Sequence, residues 1–342
     1  MLPAIQPYLV TKSAEIIQLF DQALSAGWRE AFRAFDPYYS SGEEPGEPDF
    51  VRGVFAASIP MLDAGLAFLF KGSGIAVTTC GVFCHQSPIV ELFGTPTKHG
   101  NRCELGDILF VFAFRHGSNV VRNALLLQAK LEKHRQLRPD GHVNVDDGGP
   151  QFVLYNQWPS FTYVRGLTGT RSVQGGRHRG AQYAFFAYDR RYLRPYWLHA
   201  HAVMASNHAV ASPLGGELFD VLTGQSGRPF SDRATAANGN DWDRVIWDLL
   251  DITAQRTFNL RSSKSSNTLR GSSNVVRGSI EPPYVMRLAS GLSADDLKEQ
   301  WGSLRSTTPP DQPPRGEVVM QDEEPSGIST VFIDLTVYDP RA

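Results

Sequence analysis

The spacing of apolar residues along the chain changes near residue 75. Before that point, residues 12 to 35 and 54 to 70 place apolar side chains three and four positions apart, which predicts two helices. Gly27 and Pro60 are the residues most apt to interrupt them. The segment between them is rich in turn-forming residues and is expected to be a linker. These N-terminal helices are predicted to be accessory to the main fold.

After residue 75 the pattern becomes one of short apolar runs separated by turn residues. The runs "GIAVTTCGVF", "DILFVFAF" and "ALLLQAK" are rich in Val, Ile, Phe and Leu, which predicts strands buried on both faces. Helices are predicted to begin at Pro88 and Pro150 and to span 241 to 258, and "GAQYAFFAYD" reads as another strand. The expected fold class is therefore α/β, with a central mixed β-sheet flanked by helices.

Apolar density falls in the last quarter of the chain. Residues 261 to 326 contain clusters of Ser, Arg, Asn and Pro, which predicts long loops or partial disorder. The closing run "GISTVFIDLTVYD" alternates like a strand and is expected to return to the main sheet. The predicted division is 1–74 (helical accessory region), 75–260 (α/β core), 261–326 (loop-rich segment) and 327–342 (terminal strand).

Composition and charge narrow the classes of protein to consider. The sequence has no run of 18 apolar residues and no basic start followed by an apolar stretch, so we expect no membrane insertion and a cytoplasmic location. Residues 115 to 194 hold 13 Lys and Arg against 5 Asp and Glu, whereas residues 293 to 342 hold 4 against 10. A basic middle and an acidic tail suggest a polyanionic partner, although solvated surface arginines would give the same count.

Polar residues interrupt the buried strands in a pattern that suggests a cation site. On a strand, Gln128 and Lys130 share one face. Asp107 stands at the start of the preceding strand, and a hairpin would bring it beside Gln128. Glu91 is expected on the helix that begins at Pro88. Two carboxylates and an amide oxygen beside a lysine suit Mg²⁺.

This order of residues resembles the PD-(D/E)xK, or restriction-endonuclease-like, nuclease superfamily. The motifs "ELGD" and "LLLQAK" match its two signature strands, and the resemblance covers roughly residues 80 to 160. RecB-like members add an upstream histidine and a Q-x-x-x-Y motif, which here correspond to His85 and to Gln151 and Tyr155.

The resemblance implies a metal-dependent endonuclease that hydrolyses phosphodiester bonds of DNA, in a bacterial restriction or phage-defence system. Asp107, Gln128 and Glu91 would hold Mg²⁺ or Mn²⁺, and Lys130 would lie near the attacked phosphate. The substrate-binding residues would be Gln151, Tyr155, His85, Arg177 and Arg179. RNA as substrate, a homo-oligomer and a partner protein of a defence system stay open.

Several alternatives stand beside this hypothesis. Gln128 replaces the acidic residue of the family pattern, so an inactive, nuclease-like binding or scaffold subunit is the second interpretation. Glu104 competes with Glu91 as the additional acidic ligand. Finally, the three cysteines Cys80, Cys84 and Cys103 could hold Zn²⁺ with a histidine, but their spacing is irregular for such a site.

Overall fold

The structure is a computed structural model. It describes residues 5–35, 45–84, 88–94, 97, 99–132, 142–144, 149–175, 178–187, 197–200, 208–210, 212–232, 241–259, 284–287 and 327–338. Its architecture is α/β, as the sequence predicts: a mixed central sheet of nine strands lies between two layers of other elements. The division into four regions stays a prediction, and most of 261–326 lies outside the described residues.

The helices flank the sheet. They are α1 (Gln6–Thr11), α2 (Ser13–Phe35), α3 (Glu47–Gly53), a π-helical segment (Val54–Ser58), α4 (Ile59–Leu69), α5 (Pro150–Gln157), α6 (Leu214–Thr223) and α7 (Asp241–Asn259). The predicted helices at 12–35, at Pro150 and at 241–258 are confirmed.

The strands follow from residue 75 onward. They are β1 (Ile75–Cys84), β2 (Ile89–Leu92), β3 (Arg102–Glu104), β4 (Ile108–His116), β5 (Asn119–Glu132), β6 (His142–Asn144), β7 (Phe161–Tyr163), β8 (Thr170–Arg171), β9 (Ala181–Ala187), β10 (Trp197–Ala200), β11 (His208–Val210), β12 (Ser212–Pro213), β13 (Arg228–Pro229), β14 (Tyr284–Arg287) and β15 (Ser329–Val337). The strands predicted from the three apolar runs are confirmed as β1, β4 and β5.

The central sheet has the order β12-β10-β9-β5-β4-β15-β1-β14, and β13 also pairs with β5. The pairs β15 with β4 and β5 with β9 are parallel, and the other pairs are antiparallel. The terminal strand β15 thus returns to the sheet, as predicted, and takes a place in its middle. Its long-range pairing with both β4 and β1 ties the end of the chain to the core.

Each face of the sheet carries its own apolar core. Helices α1 to α4 and α6 cover one face, where they pack on Phe110, Phe112 and Leu125. Helices α5 and α7 and a small sheet cover the other face, where they pack on Leu109 and Leu126. The alternation of side chains along β4 and β5 assigns neighbouring residues to opposite cores. It is the second face that carries the polar residues Asp107, Gln128 and Lys130.

Gly27 lies at a helix crossing and does not interrupt α2. A Cβ atom on Gly27 would lie 2.9 Å from the backbone of Val54, and one on Gly53 would lie 2.1 Å from the carbonyl oxygen of Gly27. Only two glycines allow the backbones to approach this closely. The contact continues at Ser58, whose hydroxyl donates to the carbonyl of Ala23 at 2.6 Å. Pro60 likewise leaves the helical path unbroken, since it directly follows the π-helical segment that joins α3 to α4.

Among the described helices, the stretch Glu47–Leu69 is long and apolar enough to cross a membrane by length and composition. Its mean hydropathy is 1.3, and 61% of the window is buried inside the fold. This helix packs on α2 and β1. Such burial is typical of the core helix of a soluble protein.

The prediction of a helix that begins at Pro88 is wrong. Residues Ile89–Leu92 form strand β2, which pairs with β3 and β7 in a four-stranded sheet of order β3-β2-β7-β8. The β-branched residues Ile89 and Val90 favour a strand. Strands β3 and β7 on either side form the backbone hydrogen bonds of β2. Proline at the first turn was therefore an insufficient signal for a helix.

We expect a chain that ends at residue 326 to lose cooperative folding, because it lacks β15. That strand buries Val331, Phe332, Ile333 and Leu335, each worth about 1.5 to 3 kcal/mol, against a typical total stability of about 5 to 15 kcal/mol. The measurement is thermal unfolding followed by circular dichroism. A chain that ends at residue 338 is the control and should unfold like the full chain. A wild-type transition in the shorter chain would contradict the central role of β15.

Candidate active site

The β4–β5 hairpin brings the predicted polar residues together. Ile108 pairs with Leu127 in the antiparallel ladder, and the Asp107 N–H donates to the carbonyl of Leu127 at 2.8 Å. This register sets Asp107 beside Gln128, as the sequence predicts. The Asp107 carboxylate accepts hydrogen bonds from the Gln128 side-chain amide and from the Ala129 N–H, the latter at 2.7 Å.

Two further acidic residues lie near Asp107. Glu104 ends β3, three residues before Asp107, and Glu47 begins α3. The Glu47 carboxylate accepts a hydrogen bond from the Leu131 N–H at 3.0 Å, which fixes the start of α3 against β5. Glu47, Glu104, Asp107, Gln128 and Lys130 are called the carboxylate cluster below.

The surroundings of Asp107 and Glu104 disfavour the charged forms of these two acids. Burial raises the pKa of Asp107 to about 8, and the charges of Glu104 and Glu47 add to this effect. Desolvation also raises the pKa of Glu104, which the Lys130 ammonium opposes and Glu47 reinforces. An added cation would relieve this repulsion.

Gln128 has an oxygen atom that lacks a partner. Its side chain is 1% exposed, and Oε1 has no hydrogen-bond partner among the described residues. A buried carbonyl oxygen without a partner carries a desolvation cost.

The cluster fits Mg²⁺ in the form in which proteins usually hold this ion. Within the described part of the chain, no three Asp, Glu, His or Cys side chains converge into a complete cation site. Mg²⁺ commonly takes only one or two carboxylates and completes its shell with water and substrate phosphates. Asp107 and Glu104, with the Gln128 oxygen, match that incomplete donor set.

The hydrogen bonds that the structure shows for Glu91 are with residues outside the carboxylate cluster. Its carboxylate on β2 accepts hydrogen bonds from Asn101 at 3.2 Å and from Arg102 at 3.1 Å. Its expected position on a helix is therefore wrong, and its carboxylate serves an ion pair at the surface. Glu104, the competing candidate, is the acidic residue next to Asp107.

Glu47 is the residue that the sequence interpretation missed, because residues 36 to 50 were assigned to a linker. A local signal was present. Gly46, Pro48 and Asp49 form a helix start, in which the Asp49 carboxylate accepts from the Gly46 N–H at 2.8 Å. What the sequence does not reveal is that this helix start contacts the end of β5.

The Q-x-x-x-Y motif lies on α5, as predicted, and its tyrosine contacts the turn that precedes Asp107. The Tyr155 hydroxyl donates to the carbonyl of Leu105 at 2.9 Å, two residues before Asp107. A Cβ atom on Gly106 would lie 2.9 Å from that hydroxyl and 2.7 Å from Leu126. Tyr155 is buried, so it positions the Leu105–Asp107 turn. Gln151 is half-buried one turn earlier on the same helix.

The basic segment that begins at Arg165 has mixed roles. Arg171 is buried and pairs with Asp248 at 2.6 Å, so it stabilises the fold. Arg179 is exposed and donates to the carbonyl of Gln225 at 2.7 Å. Arg177 and His85 lie outside the described residues, so their roles stay predictions.

A zinc site has little support among the cysteines. Cys80 and Cys84 are buried in β1, and burial raises the pKa of the Cys80 thiol well above its usual range. Burial also raises the pKa of Cys103 to about 12. Among the described residues, no three Cys, His, Asp or Glu side chains are placed to hold a metal ion, and His85 lies outside those residues.

We expect the metal-free protein to lose stability as the pH rises from about 4 to about 8. The pKa of Asp107 is higher in the folded than in the unfolded state, so its contribution is complete below the unfolded value and is lost as the pH passes the folded value of about 8. The reason is that the ionised carboxylate is hydrated in the unfolded chain, whereas in the fold it is desolvated and repelled by its acidic neighbours. The measurement is urea unfolding in EDTA across this range.

Asp107→Asn should flatten this pH dependence, because the amide keeps an oxygen for the Ala129 N–H and carries no charge. Glu91→Gln is the matched control and should retain the wild-type profile, since its carboxylate lies in a surface ion pair. A wild-type profile in Asp107→Asn would show that Asp107 is not the group responsible.

Comparison of the chain with protein-family models, with curated proteins and with solved structures gives no match. The function therefore has to be inferred from the geometry of the carboxylate cluster.

Proposed function

We propose that this protein is a metal-dependent nuclease that hydrolyses phosphodiester bonds of DNA, with a restriction-endonuclease-like core. The observation that carries the proposal is the convergence of Asp107, Gln128 and Lys130 on one face of the β4–β5 hairpin, beside Glu104 and Glu47. Acidic side chains that meet in this way repel one another when they are ionised, and a cation bound among them would relieve that repulsion.

In this proposal each residue has a distinct part. Asp107, Glu104 and the Gln128 oxygen hold Mg²⁺ or Mn²⁺, and Glu47 adds negative charge from α3. When bound, the metal polarises the phosphate and lowers the pKa of a coordinated water. Lys130 stabilises the charge that develops on the phosphate in the transition state.

Two features position these groups before substrate arrives. The Ala129 N–H holds one oxygen of Asp107 by a backbone hydrogen bond, and Tyr155 holds the preceding turn. Backbone partners restrict the carboxylate more tightly than a flexible side chain would. A site held in this way loses little entropy when it binds the transition state.

Gln128 supports a specific version of the proposal. Burial and the repulsion of nearby acids raise the pKa of Asp107, and a neutral amide oxygen would ligate Mg²⁺ without adding to that repulsion. The metal site should therefore tolerate three nearby acids but bind the ion less tightly than an all-carboxylate site. A high metal requirement for activity follows.

The second candidate function is a nuclease-like subunit that binds nucleic acid without cleaving it. It is favoured by the amide at position 128 and by the absence, among the described residues, of a complete set of three metal-binding side chains. In both functions the basic segment would contact phosphates. A role in bacterial defence also belongs to the proposal and rests on the resemblance of the motifs.

We expect the protein to cleave supercoiled plasmid DNA with Mg²⁺ or Mn²⁺ and not with EDTA, as followed on agarose gels. Asp107→Asn and Lys130→Met should each lower the rate by about 100-fold or more, by analogy with the loss of a transition-state hydrogen-bond donor. Lys12→Met is the matched control, since Lys12 pairs with Glu15 on the surface. DNA binding without cleavage under all metal conditions would favour the second candidate.

The identity of the acidic ligands can be tested separately. Glu104→Gln and Glu47→Gln should each slow cleavage by about tenfold or more, because each removes charge close to the metal position. Glu91→Gln should cleave like the wild type. The opposite ranking, with Glu91 essential and Glu47 and Glu104 dispensable, would contradict the site as assembled from the structure.

A further inference from the structure

A cavity of about 400 Å³ opens beside the N-terminal half of β5. Its walls include Val120, Val121, Arg122, Phe230 and Asp232. Arg122 precedes Gln128 by six residues on the same strand, so the cavity lies about 20 Å from the carboxylate cluster. The mechanism proposed above makes no use of it.

Arg122 lines the cavity although its charged side chain is only 2% exposed, which is unusual for an arginine. One guanidinium nitrogen, Nη1, contacts the Asp232 carboxylate at 2.6 Å. The other two, Nε and Nη2, have no hydrogen-bond partner among the described residues. Buried donors of a cation are costly when they are unpaired, so this edge of the guanidinium calls for an acceptor.

The positions of Nε and Nη2 determine which shape of acceptor would fit. Nε and Nη2 present two parallel N–H groups, which match the two oxygens of a carboxylate or a phosphate. Both nitrogens are buried in this structure. Phe230 lines the same cavity and donates its N–H to the Arg122 carbonyl at 3.3 Å, so binding at the Nε–Nη2 edge would require part of this wall to move.

The charge balance favours a singly charged ligand. Asp232 already neutralises Arg122, and the neighbouring Arg115 is neutralised by Asp334 at 2.7 Å. A phosphate with two charges would be repelled by the Asp232 carboxylate, and the described wall residues include no cation besides Arg122. The apolar walls of Val120, Val121 and Phe230 suit a hydrocarbon body.

The burial of Arg122 also makes this cavity unlike a surface that binds nucleic acid. Phosphates of a duplex meet cations that project into solvent, whereas the Arg122 side chain is buried. We propose that the cavity binds a small carboxylate with an apolar body, in which the carboxylate takes the Nε–Nη2 edge of Arg122 and the body contacts Val120 and Phe230. This site does not depend on the proposed nuclease activity.

The test uses benzoate as the probe, with benzamide as the neutral analogue of the same shape. Titration calorimetry on the full chain should show saturable binding of benzoate and none of benzamide. Arg122→Lys should weaken benzoate binding by about tenfold or more, because lysine keeps the charge and loses the two-pronged edge.

Asp232→Asn is a variant that should bind benzoate more tightly than the wild type. It keeps an oxygen for Nη1 and removes the opposing charge, so benzoate should bind several-fold more tightly, while thermal unfolding checks that the variant folds. Dimethyl phosphate, the phosphodiester analogue, should bind more weakly than benzoate. Absence of benzoate binding, equal binding by Arg122→Lys, or tighter binding of dimethyl phosphate would each overturn the proposal.

Discussion

The antiparallel register between β4 and β5 is the constraint on which the site depends. With Ile108 opposite Leu127, the residues that precede and follow this pair, Asp107 and Gln128, become neighbours. A shift of one residue would turn Gln128 and Lys130 toward the opposite core, where Leu125, Leu127 and Ala129 now pack. The apolar alternation that stabilises the sheet therefore also determines which polar side chains meet.

The carboxylate cluster disfavours the ionised forms of Asp107 and Glu104. Burial raises the pKa values of Asp107 and Glu104, the nearby acidic charges raise them further, and the Lys130 ammonium opposes this effect. Such an arrangement is unfavourable for stability, and shifted pKa values are concentrated at functional sites. Together with the Gln128 Oε1, which has no hydrogen-bond partner among the described residues, it supports the proposed cation site.

The sequence predicted the parts of the fold that follow from local pattern. The buried runs gave β1, β4 and β5, the shared face of Gln128 and Lys130 follows from strand geometry, and the hairpin placed Asp107 beside them. The terminal strand was expected in the sheet, but its insertion between β4 and β1 is a long-range pairing that no local pattern encodes.

The errors concern residues whose place is set by tertiary contacts. Glu91 was assigned to a helix because Pro88 resembles a first-turn proline, whereas cross-strand partners make β2 a strand. Glu47 was overlooked because its role depends on the docking of α3 against Leu131, far along the chain. Spacing in the sequence is a weak guide to which acid completes a site.

The most direct measurement of the central claim is the anomalous scattering of Mn²⁺ in crystals of the protein. We expect one peak between Asp107 and Glu104, at about 2.0 to 2.2 Å from their oxygens, with the Gln128 amide turned so that Oε1 faces the ion. A peak held by other residues, or no peak at saturating Mn²⁺, would contradict a metal-dependent site at this hairpin.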